Sequence, residues 1–294
     1  MASFHINSGC RLTTLGSVFI LSLYTPIATA ETDSAWRVSL GVGVGLRTNP
    51  VMDNADIPLV VIPHLSYQGE HLFIDNLDLG WSLAEAETYQ LSILATPSYD
   101  QVFFNRWDAR NFVVESSYWA SLKNDISPSN GNNNIQYQEI DKARLHPRRM
   151  AELLGIEWRQ SLSQHTDLSA QCLQEITGYF DGQECRLALS NLLRFGAHEL
   201  VLSAGLNWQN AATLDYYYGW RNTENADPQH TAPAYTATAG VSRLIRVDWT
   251  YPLNSRWDMR LLASYKQLPS AISLSPLVTQ DHVVTVFVGG VYHF

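Results

Sequence analysis

The sequence predicts an all-β fold: a transmembrane antiparallel up-and-down β-barrel of about twelve strands, with ten strands as the alternative. Three observations predict it. Apolar and polar residues alternate along most of the chain, Trp and Tyr recur at the ends of the apolar faces, and the chain ends on the aromatic Phe294. Segments of about ten alternating residues flanked by aromatic residues are typical of outer-membrane barrels, apolar toward lipid and polar toward the lumen.

The first predicted strand shows the alternation most clearly. One face of residues 36–46 carries Trp36, Val38, Leu40, Val42, Val44 and Leu46. The opposite face carries Arg37, Ser39 and three glycines, because successive side chains of a strand point to opposite sides. A soluble β-sandwich also alternates, but it gives no reason for aromatic residues at the strand ends. The glycines are not a dinucleotide fingerprint, since no helix follows them, and we expect them to allow close packing inside the barrel.

The strand count rests on the rule that bacterial barrels have even numbers of strands. The candidate strands are 35–46, 57–67, 71–80, 88–96, 111–122, 151–160, 167–177, 184–193, 199–210, 235–250, 256–268 and 282–293. Without the strand at 111–122 the count would be odd, so twelve strands with both termini in the periplasm are favoured. This count places the connection 97–110 in the periplasm, whereas the other long connections lie outside the cell. No segment shows a helical period, and no second domain is predicted.

The first thirty residues have the pattern of a secretory signal peptide. A polar stretch with Arg11 precedes a short apolar stretch, and Ala28-Thr29-Ala30 fits a cleavage site for signal peptidase. We therefore expect residues 1–30 to be removed and residues 31–294 to form the barrel in the outer membrane of a Gram-negative bacterium. An uncleaved anchor helix is the weaker alternative, because the apolar stretch is short and contains Pro26. Beyond residue 30 no apolar run reaches the roughly 18 residues that a membrane helix needs.

Composition and charge restrict the function classes. The chain has 19 basic and 28 acidic residues, a formal net charge of −9, which argues against a nucleic-acid partner. The sequence has no metal-ligand, lipase or metalloprotease motif, so no cofactor, metal or catalytic residue is predicted. His64 and Ser66 share an inward face and come nearest to a catalytic pair. A nucleophile also needs a group that orients its base, and the sequence identifies none, so lumen-lining polar residues are the favoured interpretation.

Several segments of the mature chain resemble the MipA/OmpV family of outer-membrane proteins. They are the Gly41–Gly45 segment, residues 57–81 (IPLVVIPHLSYQGEHLFIDNLDLGW), Asp215–Gly219 (DYYYG), Ser275–Val278 (SPLV) and the closing Val291–Phe294 (VYHF). The resemblance implies an outer-membrane location. For the namesake, which interacts with a murein-degrading transglycosylase, it implies a scaffold that holds murein hydrolase and synthase together. It carries over no catalytic residue. Residues 97–150 and the cysteine pair depart from the family pattern.

Two cysteines remain after removal of the signal peptide. Cys172 and Cys185 flank a predicted hairpin turn around 178–182, and both have the outward parity of their strands. If they lie opposite each other, their Cα atoms fall within disulfide range, and export to an oxidising compartment favours a bridge. Two small lipid-facing residues are the alternative.

Two loop clusters are candidate binding surfaces. Lys142, Arg144, His146, Arg148 and Arg149 form the one basic cluster of the sequence, and in an external loop they could meet lipopolysaccharide phosphates. A solvated loop is the favoured interpretation. The aromatic run Tyr216–Tyr218 with Trp220 is expected at the external rim as part of an aromatic girdle.

Two classes of function follow from the sequence. The favoured one is a non-enzymatic scaffold or adaptor that links the outer membrane and its lipopolysaccharide to murein hydrolase and synthase proteins. Its expected partner surface is the segment 97–110, with Tyr99, Phe103, Phe104 and Trp107. The alternative is a porin-like channel for small solutes, because the inward faces carry charged residues and twelve strands can leave a narrow lumen.

Overall fold

The computed structural model describes residues 36–52, 54–104, 146–221, 224 and 233–294. Twelve antiparallel strands form a closed barrel, in which each strand pairs with the next along the chain and β1 pairs with β12. The strands are β1 (Trp36–Arg47), β2 (Ile57–Gln68), β3 (Leu72–Asp75), β4 (Asp78–Glu85), β5 (Tyr89–Pro97), β6 (Glu152–Ser163), β7 (Thr166–Glu175), β8 (Gln183–Phe195), β9 (His198–Gln209), β10 (Gly240–Pro252), β11 (Trp257–Gln267) and β12 (His282–His293). The predicted all-β up-and-down barrel of twelve strands is therefore confirmed.

Within the described ranges, three short helices lie in the connections between strands. They are a 3-10 helix at Tyr99–Phe103, α1 at Ala211–Tyr218 and α2 at Ser270–Ser273. No helix was predicted from the sequence, because elements this short do not establish a helical period. None of the helices in the described ranges is long and apolar enough to cross a membrane.

The alternation sorts the side chains between lipid and lumen. Val44, Ile156 and Ile245 on the outer face leave more than half of their surface uncovered, as lipid-facing residues do, whereas the inner face is largely polar and buried. Aromatic pairs stand near the end of the barrel that carries the chain termini. Trp36 packs on Tyr67 with ring centroids 4.7 Å apart, and Trp257 packs on Tyr292 at 5.2 Å.

The predicted strand 71–80 is in fact two strands joined by a tight turn. Asn76, which has a φ of 53°, makes this turn and also ties it to β2. Its backbone N–H donates to Leu65 O at 2.8 Å, and its Oδ1 accepts from Leu65 N at 2.9 Å. Because β3 is so short, it pairs with β2 only at residues 66–68. The predicted strand 111–122 lies outside the described residues, and the split of 71–80 brings the described strands to an even number.

This split reverses the predicted direction of the following strand. β5 runs toward the end of the barrel that carries the long connections, which is the external end. The prediction that the segment after β5 faces the periplasm is therefore wrong for its described part, 98–104. Two side chains of the β1–β2 connection hold that part at the external end: Asn49 Nδ2 donates to Phe103 O at 3.0 Å and Asn54 Nδ2 donates to the same oxygen at 2.8 Å. Trp107, also expected there, lies outside the described residues.

Close packing on the inner wall between β1 and β12 depends on glycine in β1. Gly43 faces the ring of Phe287 on β12, and a Cβ at Gly43 would collide with that ring. Gly43 and Gly289 lie directly opposite each other in the β1–β12 ladder, and Gly289 contacts the same ring. The expectation that the inward glycines allow close packing is confirmed at Gly43.

Candidate functional site

The external mouth of the barrel is filled by an apolar plug. We define the plug as the 3-10 helix, α1 and α2 together with the strand residues against which they pack. Its members are buried, among them Val51, Ile57, Leu59, Ile62, Tyr99, Val102, Phe103, Leu214, Tyr216, Tyr217, Tyr218, Ala271, Ile272 and Phe287. Apolar side chains from four connections and from the inner wall thus form one hydrophobic core at this end.

The tyrosine run on α1 belongs to this core. Tyr217 and Tyr218 are fully buried, and Phe180 stacks on Tyr216 with ring centroids 4.4 Å apart. Burial raises the pKa of the Tyr217 hydroxyl, which donates to Arg149 O at 3.0 Å. The expectation that this run forms an aromatic girdle at the external rim is therefore wrong, because α1 turns these rings inward.

Asp100 joins the plug to the barrel wall. It lies in the 3-10 helix and is buried. Its Oδ1 accepts from the Tyr218 hydroxyl at 2.9 Å, and its Oδ2 accepts from Gln209 Nε2 at 2.5 Å. Hydrogen bonds to a charged group are stronger than neutral ones, so a single carboxylate connects the 3-10 helix to α1 and to the end of β9.

Arg148 fastens the external loops over the plug. Its guanidinium forms a buried ion pair with Glu224, with Nη1 2.5 Å from Oε1. It also donates to Tyr217 O at 3.1 Å and to Gly219 O at 2.8 Å, which are carbonyls near the C-terminus of α1. Burial alone would raise the pKa of Glu224, but the hydrogen bonds from Arg148, Arg221 N and His146 N hold that pKa below its usual range.

The basic cluster predicted in this loop is divided by the structure. Arg148 is buried and engaged within the chain, so it does not face lipopolysaccharide. Arg149 lies over the ring of Tyr179, 5.6 Å from its centroid. Lys142 and Arg144 lie outside the described residues.

Ion pairs line the inner wall on two sides of the barrel. On β10 and β11, Arg246 and Arg260 share the carboxylate of Asp248 at 3.1 and 2.9 Å. All three are buried and point inward, as the alternation predicted. On β8, Arg186 Nε donates to Glu184 Oε1 at 2.7 Å. Three of the inward charged residues that favoured an open channel are therefore paired with one another.

His64, the candidate base, is held by the β3–β4 turn. Its Nδ1 lies 3.0 Å from Asn76 Nδ2 and 3.6 Å from Asp75 Oδ1. Asn76 is the residue that ties the turn to β2, so the contacts of His64 support a structural role. No group of three or more metal-ligating side chains occurs within the described ranges.

The structure places Cys172 directly opposite Cys185 in the β7–β8 ladder. Their Cα atoms are 4.2 Å apart and the two Sγ atoms are bonded to each other. Cys172 faces outward, like the apolar residues of its strand. This pairing is the one that the sequence predicts if the two residues lie opposite each other, and we propose that the bridge forms in the exported protein.

A polar pocket opens at the periplasmic end of the wall. It has a volume of about 280 Å³ and lies between the β4–β5 turn and the ends of β6 and β7. The lining includes Glu85, Glu87, Gln90, Arg159, Ser161 and Asp167. This pocket was not predicted from the sequence, because the predicted strand directions placed the β4–β5 turn at the external end.

Comparison with known proteins assigns this chain to a protein family. The family model described as MltA-interacting protein MipA matches residues 40–294, which includes every described strand except the start of β1. The chain belongs to the MipA family. It is 22% identical over 277 residues to the MltA-interacting protein of Escherichia coli K12, covering 94% of this chain and 98% of that protein. It is 21% identical over 261 residues to the putative outer membrane protein YiaT of the same strain, covering 89% and 92%.

The outer-membrane protein OmpV of Vibrio cholerae gives a shorter match, 30% identical over 122 residues, covering 42% of this chain and 45% of OmpV. A MipA-family chain with a closed barrel and relatives named as outer-membrane proteins is an outer-membrane protein of a Gram-negative bacterium. Among solved structures, the bacterial polysaccharide outer membrane secretin is similar with a TM-score of 0.41 at 6% identity, covering 90% of this chain and 100% of that one. A structural similarity with a TM-score this low supports no conclusion about function. The named relatives are outer-membrane or interacting proteins rather than enzymes.

Proposed function

We propose that this protein is a non-enzymatic adaptor that anchors murein hydrolase or synthase proteins at the periplasmic face of the outer membrane. The observation that carries the proposal is the plug, which fills the external mouth with an apolar core fastened by Asp100 and Arg148. A barrel closed in this way presents its periplasmic rim as the remaining surface for a partner. The relative named MltA-interacting protein supports a partner of the murein-degrading class.

The adaptor surface that we propose is the periplasmic pocket and the turns around it. Glu85, Glu87 and Asp167 give the pocket an acidic lining, and Arg159 is already paired with Glu157 at 3.1 Å. A basic loop of the partner would complement this charge. This surface takes the place of the segment 97–110 as the expected partner surface, because the described part of that segment lies at the opposite end of the barrel. We further propose that residues 1–30 are the cleaved signal peptide that directs this chain to the periplasm.

The experiment is a pull-down of a purified lytic transglycosylase by the refolded barrel in nanodiscs. Glu87→Arg should weaken binding by about tenfold, because a desolvated charge contact is replaced by repulsion. Asp281→Arg is the matched control, since Asp281 is an exposed carboxylate at the external end and its reversal should leave binding unchanged. Equal retention of the enzyme by the wild type and by Glu87→Arg would contradict the proposed surface.

A porin-like channel for small solutes is the second candidate, and the polar inner wall favours it. Conductance in planar bilayers separates the two functions. The plug and the internal ion pairs lead us to expect no stable conductance steps from the wild type. Reproducible steps would make the channel the primary function.

A further inference from the structure

Seven buried polar side chains form a continuous row around the inner wall, which we call the polar belt. The register places each member directly opposite the next, from β4 to β10. Its members are Ser82, Ser92, Glu157, Gln171, Arg186, Asn207 and Ser242. Because directly opposed residues of neighbouring strands have Cα atoms about 4.5–5.5 Å apart, the row is unbroken across seven strands.

The charged members of the belt form ion pairs with charged neighbours. Glu157 Oε2 lies 3.1 Å from Arg159 Nη2, and Arg186 Nε lies 2.7 Å from Glu184 Oε1. Gln171 Nε2 donates to Glu157 Oε1 at 2.7 Å. A net negative charge entering the belt would meet the buried carboxylates of Glu157 and Glu184 and disrupt these pairs, which is unfavourable in a low-dielectric interior.

Three of the neutral members have a polar atom with no hydrogen-bond partner in the described part of the chain. These atoms are Ser92 Oγ, Asn207 Oδ1 and Ser242 Oγ. Their residues are 1%, 3% and 2% exposed, and Asn207 lies directly opposite Ser242. Buried polar atoms are nearly always hydrogen-bonded, so three such atoms in a single row indicate a polar occupant.

The belt meets the periplasmic pocket at one end. Gln90 and Arg159 line the pocket and lie directly opposite each other in the β5–β6 ladder. Gln90 Nε2 donates to Ser82 Oγ at 3.5 Å, and Arg159 pairs with Glu157. Ser92 is two residues beyond Gln90 on the same face of β5. A solute in the pocket is therefore next to the belt.

We propose that the pocket and the polar belt bind a small hydroxyl-rich solute that carries no negative charge. Hydroxyl groups both donate and accept hydrogen bonds, so they suit the serine hydroxyls and the Asn207 oxygen together. The carboxylates of Glu85, Glu87 and Asp167 at the entrance repel anions. This site goes beyond the adaptor function, because it needs neither a protein partner nor an open external mouth.

The test is saturation-transfer NMR on the refolded barrel with three probes of similar size: glucose, glucosamine and gluconate. We expect saturation transfer from the protein to glucose and to glucosamine, and saturation transfer to the gluconate anion that is at least fivefold weaker. Absence of transfer to glucose from the wild type would overturn the proposal, and so would equal transfer to glucose and gluconate.

The variant S92A/N207L/S242A removes the unpartnered atoms. It should reduce glucose transfer about fivefold or more, since each lost hydrogen bond weakens binding severalfold. Its melting temperature should change little, because Ser92 Oγ, Asn207 Oδ1 and Ser242 Oγ have no hydrogen-bond partner within the described residues. Should this variant not refold, Ser92→Ala alone provides the same comparison.

The matched control is S190A/S203A. Ser190 and Ser203 also face inward, but their hydroxyls bond to each other at 2.9 Å. Glucose transfer from this control should equal that from the wild type. Unchanged transfer from the triple variant, or an equal loss from the control, would overturn the proposal. The pull-down described above reports on the adaptor function separately, because Glu87→Arg leaves the belt intact.

Discussion

Arg148 and Glu224 form an ion pair that is almost completely buried beneath the external loops, although they lie 76 positions apart in the sequence. Both side chains are 2% exposed, and Nη1 lies 2.5 Å from Oε1. The same guanidinium bonds three backbone carbonyls, those of His146, Tyr217 and Gly219. One side chain thus joins the end of the β5–β6 connection, α1 and the segment that follows α1.

Arg148→Met should destabilise the plug strongly. The change removes the partner of a buried carboxylate and leaves three carbonyls without their donor, which typically costs about 3–5 kcal/mol. The free energy of unfolding in urea, followed by tryptophan fluorescence, measures the effect. Arg149→Met is the control, because Arg149 lies over the exposed Tyr179 ring and should cost less than about 1 kcal/mol. Equal losses from the two variants would contradict a fastening role for Arg148.

The same pair predicts a pH dependence. The pKa of Glu224 is lower in the folded protein than in the unfolded chain, so the folded state binds fewer protons. The stabilisation is therefore complete above the unfolded pKa, about 4.5, and is lost as the pH falls through the lower folded pKa. Proteolysis of the external loops by pepsin, compared between pH 5 and pH 2, should increase more in the wild type than in Glu224→Gln. An equal increase in cleavage of the wild type and of Glu224→Gln would show that other carboxylates determine how the stability of the loops depends on pH.

Asp100→Ala should release the 3-10 helix from the wall. The substitution removes the carboxylate that accepts from the Tyr218 hydroxyl and from Gln209 Nε2, and each hydrogen bond lost to a charged group costs about 1.5–3 kcal/mol. We expect conductance steps in planar bilayers that the wild type does not show. Gln101→Ala is the neighbouring control, because Gln101 Oε1 has no hydrogen-bond partner within the described chain. A silent Asp100→Ala barrel with wild-type stability would contradict the anchoring role.

Gly43→Val should destabilise the barrel by about 1–3 kcal/mol, because the added atoms collide with Phe287. Phe287→Ala in the same chain should relieve the collision and recover part of this loss. A double-mutant cycle of unfolding free energies measures the coupling. Additive losses would show that the two residues do not interact.

The cysteine pair predicts a redox effect on the β7–β8 hairpin. The bridge spans a sequence separation of 13 residues, for which loop closure is worth about 3 kcal/mol. Oxidised protein should migrate faster than reduced protein on denaturing gels, and the difference should disappear in Cys172→Ser/Cys185→Ser. Complete labelling of both thiols in protein purified from the outer membrane would show that no bridge forms.

The period-two alternation could predict most of the strands and the outward face, because each strand has one side in lipid and one in the lumen. It could not reveal the turn at Asn76. The turn shifts the phase of the alternation by one position, so that Phe73 faces inward before it and Asp78 and Ser82 face inward after it. A single strand with a β-bulge would give the same shift. The remaining signal was Asn76 itself, since asparagine tolerates positive φ. Missing that turn reversed β5 and misplaced the segment after it.

The plug could not be predicted from the sequence either. α1 has eight residues, too few to establish a period, and its three consecutive tyrosines fit a rim equally well. A local signal was present at Asn210, whose side chain accepts from Thr213 N and caps the helix. The contacts that fix the plug, such as Asp100 with Tyr218, join residues more than one hundred positions apart. No local pattern encodes such a pair.

The short β2–β3 ladder has a mechanical consequence. A closed barrel is weakest around its circumference where two neighbouring strands pair over the fewest residues. Among the described strands, β2 pairs with β3 only at residues 66–68, and the bonds between Leu65 and Asn76 extend this contact by one residue. The ladder between β1 and β12 runs over most of both strands. A stretching force applied around the circumference would therefore part this barrel first between β2 and β3, and a barrel assembling in the membrane would gain its least closing force there.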